Sequence, residues 1–461
     1  MDESRRATFV ELTEGRSFPP MSGRAAPDLA AAGFTESEWA YSGEAVSYDP
    51  EATPSDGRFE LTEADSAPFA TRVLVRRPES ESFSGVVLVE WLNVSGGQDA
   101  APDYTYLADE ILRAGHAWVG VSAQFIAVEG GDAAVGLGGQ TTGLRAQRPE
   151  RYGDLHHPGD AYAYDIVTQV GRYVREPDGA GPLTGLRARS VIAVGESQSA
   201  FALTSYVNGV HPRAGVFDAF LLHSRGAGYL PFDDRGRGSD IVAALGRGPA
   251  TLREDVGAPV MVVQAEGDLI GRIASLPARQ PDSESVVTWE IAGQAHADLY
   301  QLGEFAQFVD CHGPVNSGQQ VFVLRAALRH LVSWVAGGAR PPAAPPVEID
   351  DDDEIVTDEL GNGRGGVRTP VVEAPVEQLT GVPHPEAQPL CMLLGRTVEL
   401  PEQVLRERWP GGGRTGGGRS GREQYLAAYR AATDRLIAEG FLLPEDRDEI
   451  LADARPERLT W

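Results

Sequence analysis

A serine, an acid and a histidine occur in that order through the middle of this sequence, each following a short apolar run. Ser197 stands in Gly195-Glu196-Ser197-Gln198-Ser199, after Val191-Ile192-Ala193-Val194. Glu266 and Asp268 follow Val260-Met261-Val262-Val263-Gln264-Ala265, and His296 follows Val286–Ile291 by a few residues. An aliphatic hydroxyl is a poor nucleophile until an imidazole takes its proton. The imidazole in turn needs a carboxylate to hold its tautomer and stabilise its cation. Serine, acid and histidine together are therefore equipped for attack on a carbonyl carbon. Asp268, just past its strand, is favoured as the acid, with Glu266 as the alternative. The oxyanion formed in such an attack needs fixed N–H donors. The N–H of Gln198, directly after the serine, is one candidate. The second is expected from the loop after the Val86–Leu92 run, at Asn93 or Val94.

The elements that must position these groups can be read around them. The β-branched run before Ser197 and the helix-like pattern after it (Ala200, Phe201, Leu203, Tyr206, Val207) predict strand, sharp turn and helix with the serine at the apex. Such a turn needs small residues two before and two after the serine, and Gly195 and Ser199 are small. The competing reading is that Ser197 only caps the helix, since serine is a preferred N-cap.

Earlier in the chain, residues from about 7 to 81 hold short alternating segments broken by Pro and Gly, which predict antiparallel edge strands. Gly85–Leu92 is nearly continuous in apolar residues, as in a central parallel strand covered on both faces. A helix over Tyr104–Ala114, stopped by Gly115, and a strand over His116–Gln124 complete a βαβ unit. Phe125–Gly159 reads as a long Gly-rich loop. Within it, Gly136–Thr141 lacks the third glycine of a dinucleotide loop and does not lead from a strand into a helix. The adjacent His156 and His157 splay apart and have no third ligand in view, so no metal is expected.

A helix is expected over Ala161–Arg175, strands with their carboxyl-end loops at Phe217–Gly226, Ala258–Asp268 and Val286–His296, and an amphipathic helix over Gln319–Val335. Pro341–Pro346 reads as a linker or rigid crossing segment, and Asp350–Glu354 as a solvated acidic face lacking the glycine of a calcium loop. Residues 361–388 are turn-rich, Gly411–Gly421 is a glycine–arginine loop, and helices close the chain at Arg422–Glu439 and Glu445–Ala454. The expected organisation is a core over residues 1–340 with a C-terminal extension over 341–461 packing on it.

The 461 residues carry 67 acidic against 40 basic side chains, a net charge of −27. That charge repels nucleic acid and anionic membranes, so neither is an expected partner. Met1–Arg6 leads into no apolar core of a signal peptide, and no run approaches a membrane span. A cytoplasmic location is the expectation, with Cys311 and Cys391 as reduced buried thiols unless the fold brings them together.

The strings V-E-W-L-N-V-S-G-G (Val89–Gly97), V-G-V-S-A-Q (Val119–Gln124), D-L-H-H-P-G-D (Asp154–Asp160), G-E-S-Q-S (Gly195–Ser199) and L-L-H-S-R-G (Leu221–Gly226) resemble a bacterial family of α/β-hydrolase domain-containing proteins. The resemblance runs from Phe69 to the C-terminus. It implies an α/β-hydrolase fold: a mostly parallel central sheet flanked by helices, here with an N-terminal antiparallel edge and a C-terminal helical extension. It also implies a serine-hydrolase mechanism with no cofactor. The expected substrate is a small-molecule carboxylic ester or lactone. Trp91, Gln124, Phe125, His223 and Tyr300 are expected on its path, because they lie on segments meeting the strand ends. Acyl transfer, amide cleavage and a non-catalytic binding role are the rival readings, and a homo-oligomer is left open.

Overall fold

The computed structural model describes residues 7–461 apart from 53, 136–141, 178, 180 and 413–417. Met1–Arg6, Gly136–Thr141 and the centre of the Gly411–Gly421 loop therefore lie outside the described residues. Nine strands form one mostly parallel sheet: β1 (Thr8–Glu11), β2 (Phe34–Pro50), β3 (Leu61–Pro78), β4 (Val86–Trp91), β5 (Ala117–Val121), β6 (Ser190–Glu196), β7 (Ala219–His223), β8 (Val260–Ala265) and β9 (Val286–Ile291). Their order is β1-β2-β3-β5-β4-β6-β7-β8-β9. β1, β2 and β3 join antiparallel, as does β3 to β5, whereas β5-β4-β6-β7 are parallel. Every residue of β4, β5, β6 and β7 is buried, as the continuous apolar runs require.

The chain forms two compact units. The first takes Met1–Val262, Ala274–Val287 and Leu331–Ala339. Its core joins Val87, Val89, Val191 and Phe220 of the sheet to Ile166, Val170 and Phe201 of flanking helices. The helix between β4 and β5 runs Pro102–Arg113, starting earlier than its apolar pattern because proline suits a first turn and Glu90 accepts the N–H groups of Asp103 and Tyr104. β2 and β3 are 17 and 18 residues long, where the sequence shows only short segments. Exposed Glu36, Glu63 and Asp65 break the apolar alternation without breaking the strands. Buried Arg72 of β3 ties this edge together. It donates to Asp99 at 2.5 Å, Glu38 at 3.3 Å and Ser122 at 3.2 Å.

The second unit takes Val263–Ile273, Thr288–His330 and Arg340–Trp461. Buried Trp289 meets Phe441 edge-on at 5.0 Å and donates to the Pro342 carbonyl at 2.8 Å, so the proline segment serves as a wall for an indole. Asp350–Glu354 closes a tight turn between Ile349 and Ile355. The helix Gly421–Glu439 starts in a capping box of Ser420 and Glu423 and ends at left-handed Gly440.

One expectation needs correction here, and one left open is answered. The turn-rich 361–388 stretch contains β10 (Glu377–Thr380), paired antiparallel with β11 (Arg396–Glu399). Four-residue strands are too short to show an alternation. Cys311 and Cys391 are joined in a disulfide rather than held as thiols. Pairing of residues 80 apart in sequence is a property of the fold and leaves no trace in local pattern.

That crosslink sets a testable expectation. A disulfide closing a loop of this size stabilises by about 4 kcal/mol on a chain-entropy count. Reduction with dithiothreitol, or Cys391→Ser, should shift the urea midpoint clearly downward. Coincident unfolding curves with and without reductant would contradict it.

Candidate active site

In the first unit the carboxyl ends of the parallel strands β4, β5, β6 and β7 share one edge. Ser197 stands there between β6 and the helix Gln198–Ser205, with φ 56° and ψ −120°. This is left-handed backbone that a non-glycine residue rarely adopts. Its side chain makes no capping hydrogen bond, so the helix-cap reading does not account for it. The turn is held by the Ser197 N–H donating to the His223 carbonyl at 2.9 Å and the Phe201 N–H donating to the Ser197 carbonyl at 3.1 Å. A Cβ at Gly195 would come within 3.0 Å of both Leu203 and Ser199, which explains why both flanking positions are small.

Gln198 opens the helix, so its N–H has no intrahelical acceptor. Asn93, past the end of β4, donates from Nδ2 to the Glu196 carbonyl at 3.1 Å and to its carboxylate at 3.3 Å, and accepts the Ser95 N–H at 2.8 Å. These contacts fix the β4 loop against the turn. Val94 lies beneath it in a small apolar cluster with Ile126, Val128 and Leu155. Gln198 Oε1, Ser199 Oγ and Ser224 Oγ are buried and have no partner among the described residues. Ordered water or polar ligand atoms are the usual partners of such groups.

In the second unit, Asp268 and His296 form the acid–histidine pair. Asp268 Oδ1 lies 2.6 Å from His296 Nδ1, and its Oδ2 accepts the Ala265 N–H at 2.7 Å. Asp268 is fully buried and His296 almost so. Glu266 is engaged elsewhere. It accepts N–H bonds from Gly293 at 2.7 Å and Gly381 at 3.1 Å, and the Thr380 hydroxyl at 3.2 Å. Burial pushes its carboxyl up, against those three donors. Gly267 between the two acids lets the Gly381 backbone approach, since a Cβ there would sit 2.6 Å from the Gly381 carbonyl oxygen. The turn bearing His296 is braced by Gln320, donating to Ala295 and Asp298, and by Asn316, donating to Gly293 and Thr380. Neither brace stands out in the sequence, because an amide in a loop has no characteristic spacing.

The expected substrate-side residues take these places. Trp91 is buried in the first unit and donates to Gln124 at 3.2 Å. Gln124 donates to Asp160 at 3.0 Å. Phe125 is half-buried and its N–H also bonds Asp160. His223 is fully buried with Nδ1 3.1 Å from Asp103. Tyr300, in the second unit, accepts from Arg325 at 3.0 Å. The Asp154–Asp160 string is thus a clamp: its Asp160 gathers Gln124, Phe125 and Ser239, while His157 donates from Nε2 to the Ala123 carbonyl at 2.9 Å. His156 faces Glu129 at 3.2 Å.

A family model described as "Alpha/beta hydrolase domain" matches residues 8–452. Among solved structures, a thermostable esterase from Pseudomonas putida is 13% identical, with 67% of this chain and 83% of that one covered and a TM-score of 0.33. A glucuronoyl esterase from Solibacter usitatus is 13% identical over 65% of this chain and 87% of that one, TM-score 0.29. A serine hydrolase from Xanthomonas campestris, described as lacking a lid, is 14% identical over 57% and 88%, TM-score 0.31. Overlaps of this size carry no argument about activity. No curated protein is matched.

The clamp makes a pH prediction. Burial lowers the His157 pKa from 6.5 to about 4. Unfolding lets the ring take a proton at any pH between those values, so its contribution is present above about 6.5 and is lost as pH falls toward 4. At full effect this is about 3 kcal/mol. Thermal melts at constant ionic strength should show the wild type losing its advantage over His157→Gln across that window. A pH-independent difference would contradict the assignment.

Proposed function

The chain belongs to the alpha/beta hydrolase domain family, and we propose that it is a serine hydrolase cleaving a carboxylic ester or lactone. The single observation that carries this reading is the left-handed backbone of Ser197 at a strand-to-helix turn, a strained conformation that presents a hydroxyl without using it as a cap. Ser197 attacks the carbonyl carbon, and His296 accepts its proton at Nε2. Asp268, bonded to Nδ1, orients the ring and stabilises the imidazolium. The oxyanion is met by the N–H of Gln198 and by a donor of the Asn93–Val94 segment. The imidazolium returns its proton to the leaving alcohol as the carbon–oxygen bond breaks. Water, deprotonated by the same imidazole, then attacks the acyl-serine ester, and the imidazolium returns that proton to Ser197 Oγ as the acyl–oxygen bond breaks and the acid leaves. Each step uses only side chains and water, so no cofactor enters the proposal.

The partner in this reading is a small ester. A cytoplasmic site of action stands against the Cys311–Cys391 disulfide, since such bonds are rare in the cytosol, and non-reducing electrophoresis of the protein from alkylated cells decides between the two.

The division of labour between the two acids gives the test. Asp268→Asn should lower kcat on p-nitrophenyl esters by about 10⁴, as loss of the tautomer-holding carboxylate does elsewhere. Glu266→Gln should lower the melting temperature while most of kcat remains. The reverse ranking would make Glu266 the acid, and turnover surviving in Ser197→Ala would remove Ser197 as nucleophile.

A further inference from the structure

The segment that follows His296 carries an apolar surface the proposed reaction does not use. Two short helical turns, Leu299–Leu302 and Gly303–Phe308, lie in it. Leu302, Ala306 and Val309 turn inward and pack on a cluster built around Cys311, Val315, Cys391 and Leu394. The outward set is bare: Phe308 is 75% exposed, Leu299 40% and Phe305 37%. Met392, beside the disulfide-bonded Cys391, is 37% exposed as well. The Phe305 and Phe308 rings lie 6.1 Å apart, close enough to form one surface. The inward face is pinned by the crosslink, and Ala297, next to His296, donates its N–H to the Leu393 carbonyl at 3.0 Å. The patch and the histidine therefore belong to one braced piece of the second unit.

We propose that this surface docks the protein on an uncharged ester–water interface, such as an emulsion of neutral triesters. Three observations select that occupant. Size is the first: Phe305 and Phe308, the pair in ring contact, expose on the order of 200 Å², about a quarter of what each partner contributes to a standard protein–protein interface. Charge is the second. Residues 297–318 contain Asp298, Glu304 and Asp310 and no lysine or arginine, within a chain of net charge −27. An anionic bilayer and a second copy of this chain are both repelled, while a neutral surface is not. Position is the third, since the patch begins three residues after His296 and is continuous with its loop. The use of such docking rests on the ester-hydrolase reading. The docking itself does not, and its test is independent of catalysis.

The experiment is flotation of the full chain, carried as Ser197→Ala so that nothing is consumed, with triolein droplets coated in phosphatidylcholine. The protein should rise with the droplets. Adding Phe305→Ser and Phe308→Ser should reduce its droplet-bound to free ratio by about tenfold or more. Phe308→Leu alone should retain most of the binding, which separates lost apolar area from misfolding. Blending phosphatidylglycerol into the coat should weaken the binding. Equal partitioning of the serine variant and its parent, or no flotation of either, would overturn the proposal. So would a dimer in sedimentation that the two serines convert to monomer, since the patch would then be occupied by a second copy. Failure on p-nitrophenyl esters would count against the function proposed above and leave this result standing.

Discussion

The backbone at Ser197 is the constraint on which the rest of the first unit depends. A left-handed non-glycine residue of this kind costs about 1–3 kcal/mol and persists only where its surroundings over-determine it. Here the surroundings form a chain of buried contacts. The Ser197 N–H is taken by the His223 carbonyl, and the His223 ring is held by Asp103. Asp103 sits in the first turn of the helix that Glu90 caps, and Glu90 also accepts the Trp118 indole at 2.7 Å. Burial raises the Asp103 carboxyl to about 8. Glu90 is raised by burial and by Asp103 beside it. Two carboxyls this deep are costly unless they share a proton or gain donors, and they have donors from three elements. The cost is met where it fixes the turn.

The second unit solves a different problem, that of keeping two acids two residues apart from competing for one histidine. Glycine is the device. Gly267 admits the Gly381 backbone, and the same approach brings the Gly381 N–H and the Thr380 hydroxyl onto Glu266. With three donors satisfied, Glu266 becomes a tie between the ends of β8, β9 and β10. Asp268 is left to face His296. The 122 residues from Arg340 to Trp461 all fall in this unit. They supply part of the scaffold of the acid–histidine pair through Thr380, Gly381 and the hydrogen bond from Ala297 to Leu393.

What could be read from the sequence was whatever a few adjacent residues determine. Val191–Ser199 shows strand, turn and small flanking residues within nine positions, and β4 through β7 appear as nearly continuous apolar runs. What could not be read is set by distant partners. Nothing near Arg72 says that it is buried between Asp99 and Glu38, because a buried charge is a property of the pair. Trp91 and His223 stand at strand ends, which the sequence shows, but their partners do not show there. In the fold the Trp91 indole donates to Gln124 and His223 Nδ1 meets Asp103. The choice between Glu266 and Asp268 lay in the same category, since Gly293, Thr380 and Gly381 lie far along the chain.

The central claim is that Ser197 is a nucleophile activated by the Asp268–His296 pair. The most direct measurement is covalent labelling with a fluorophosphonate, followed by peptide mass spectrometry and by the labelling rate in His296→Gln. The account predicts a single adduct on the peptide carrying Ser197. It also predicts a rate that collapses when His296 loses its imidazole. An adduct on another residue, or a labelling rate indifferent to His296, would contradict it.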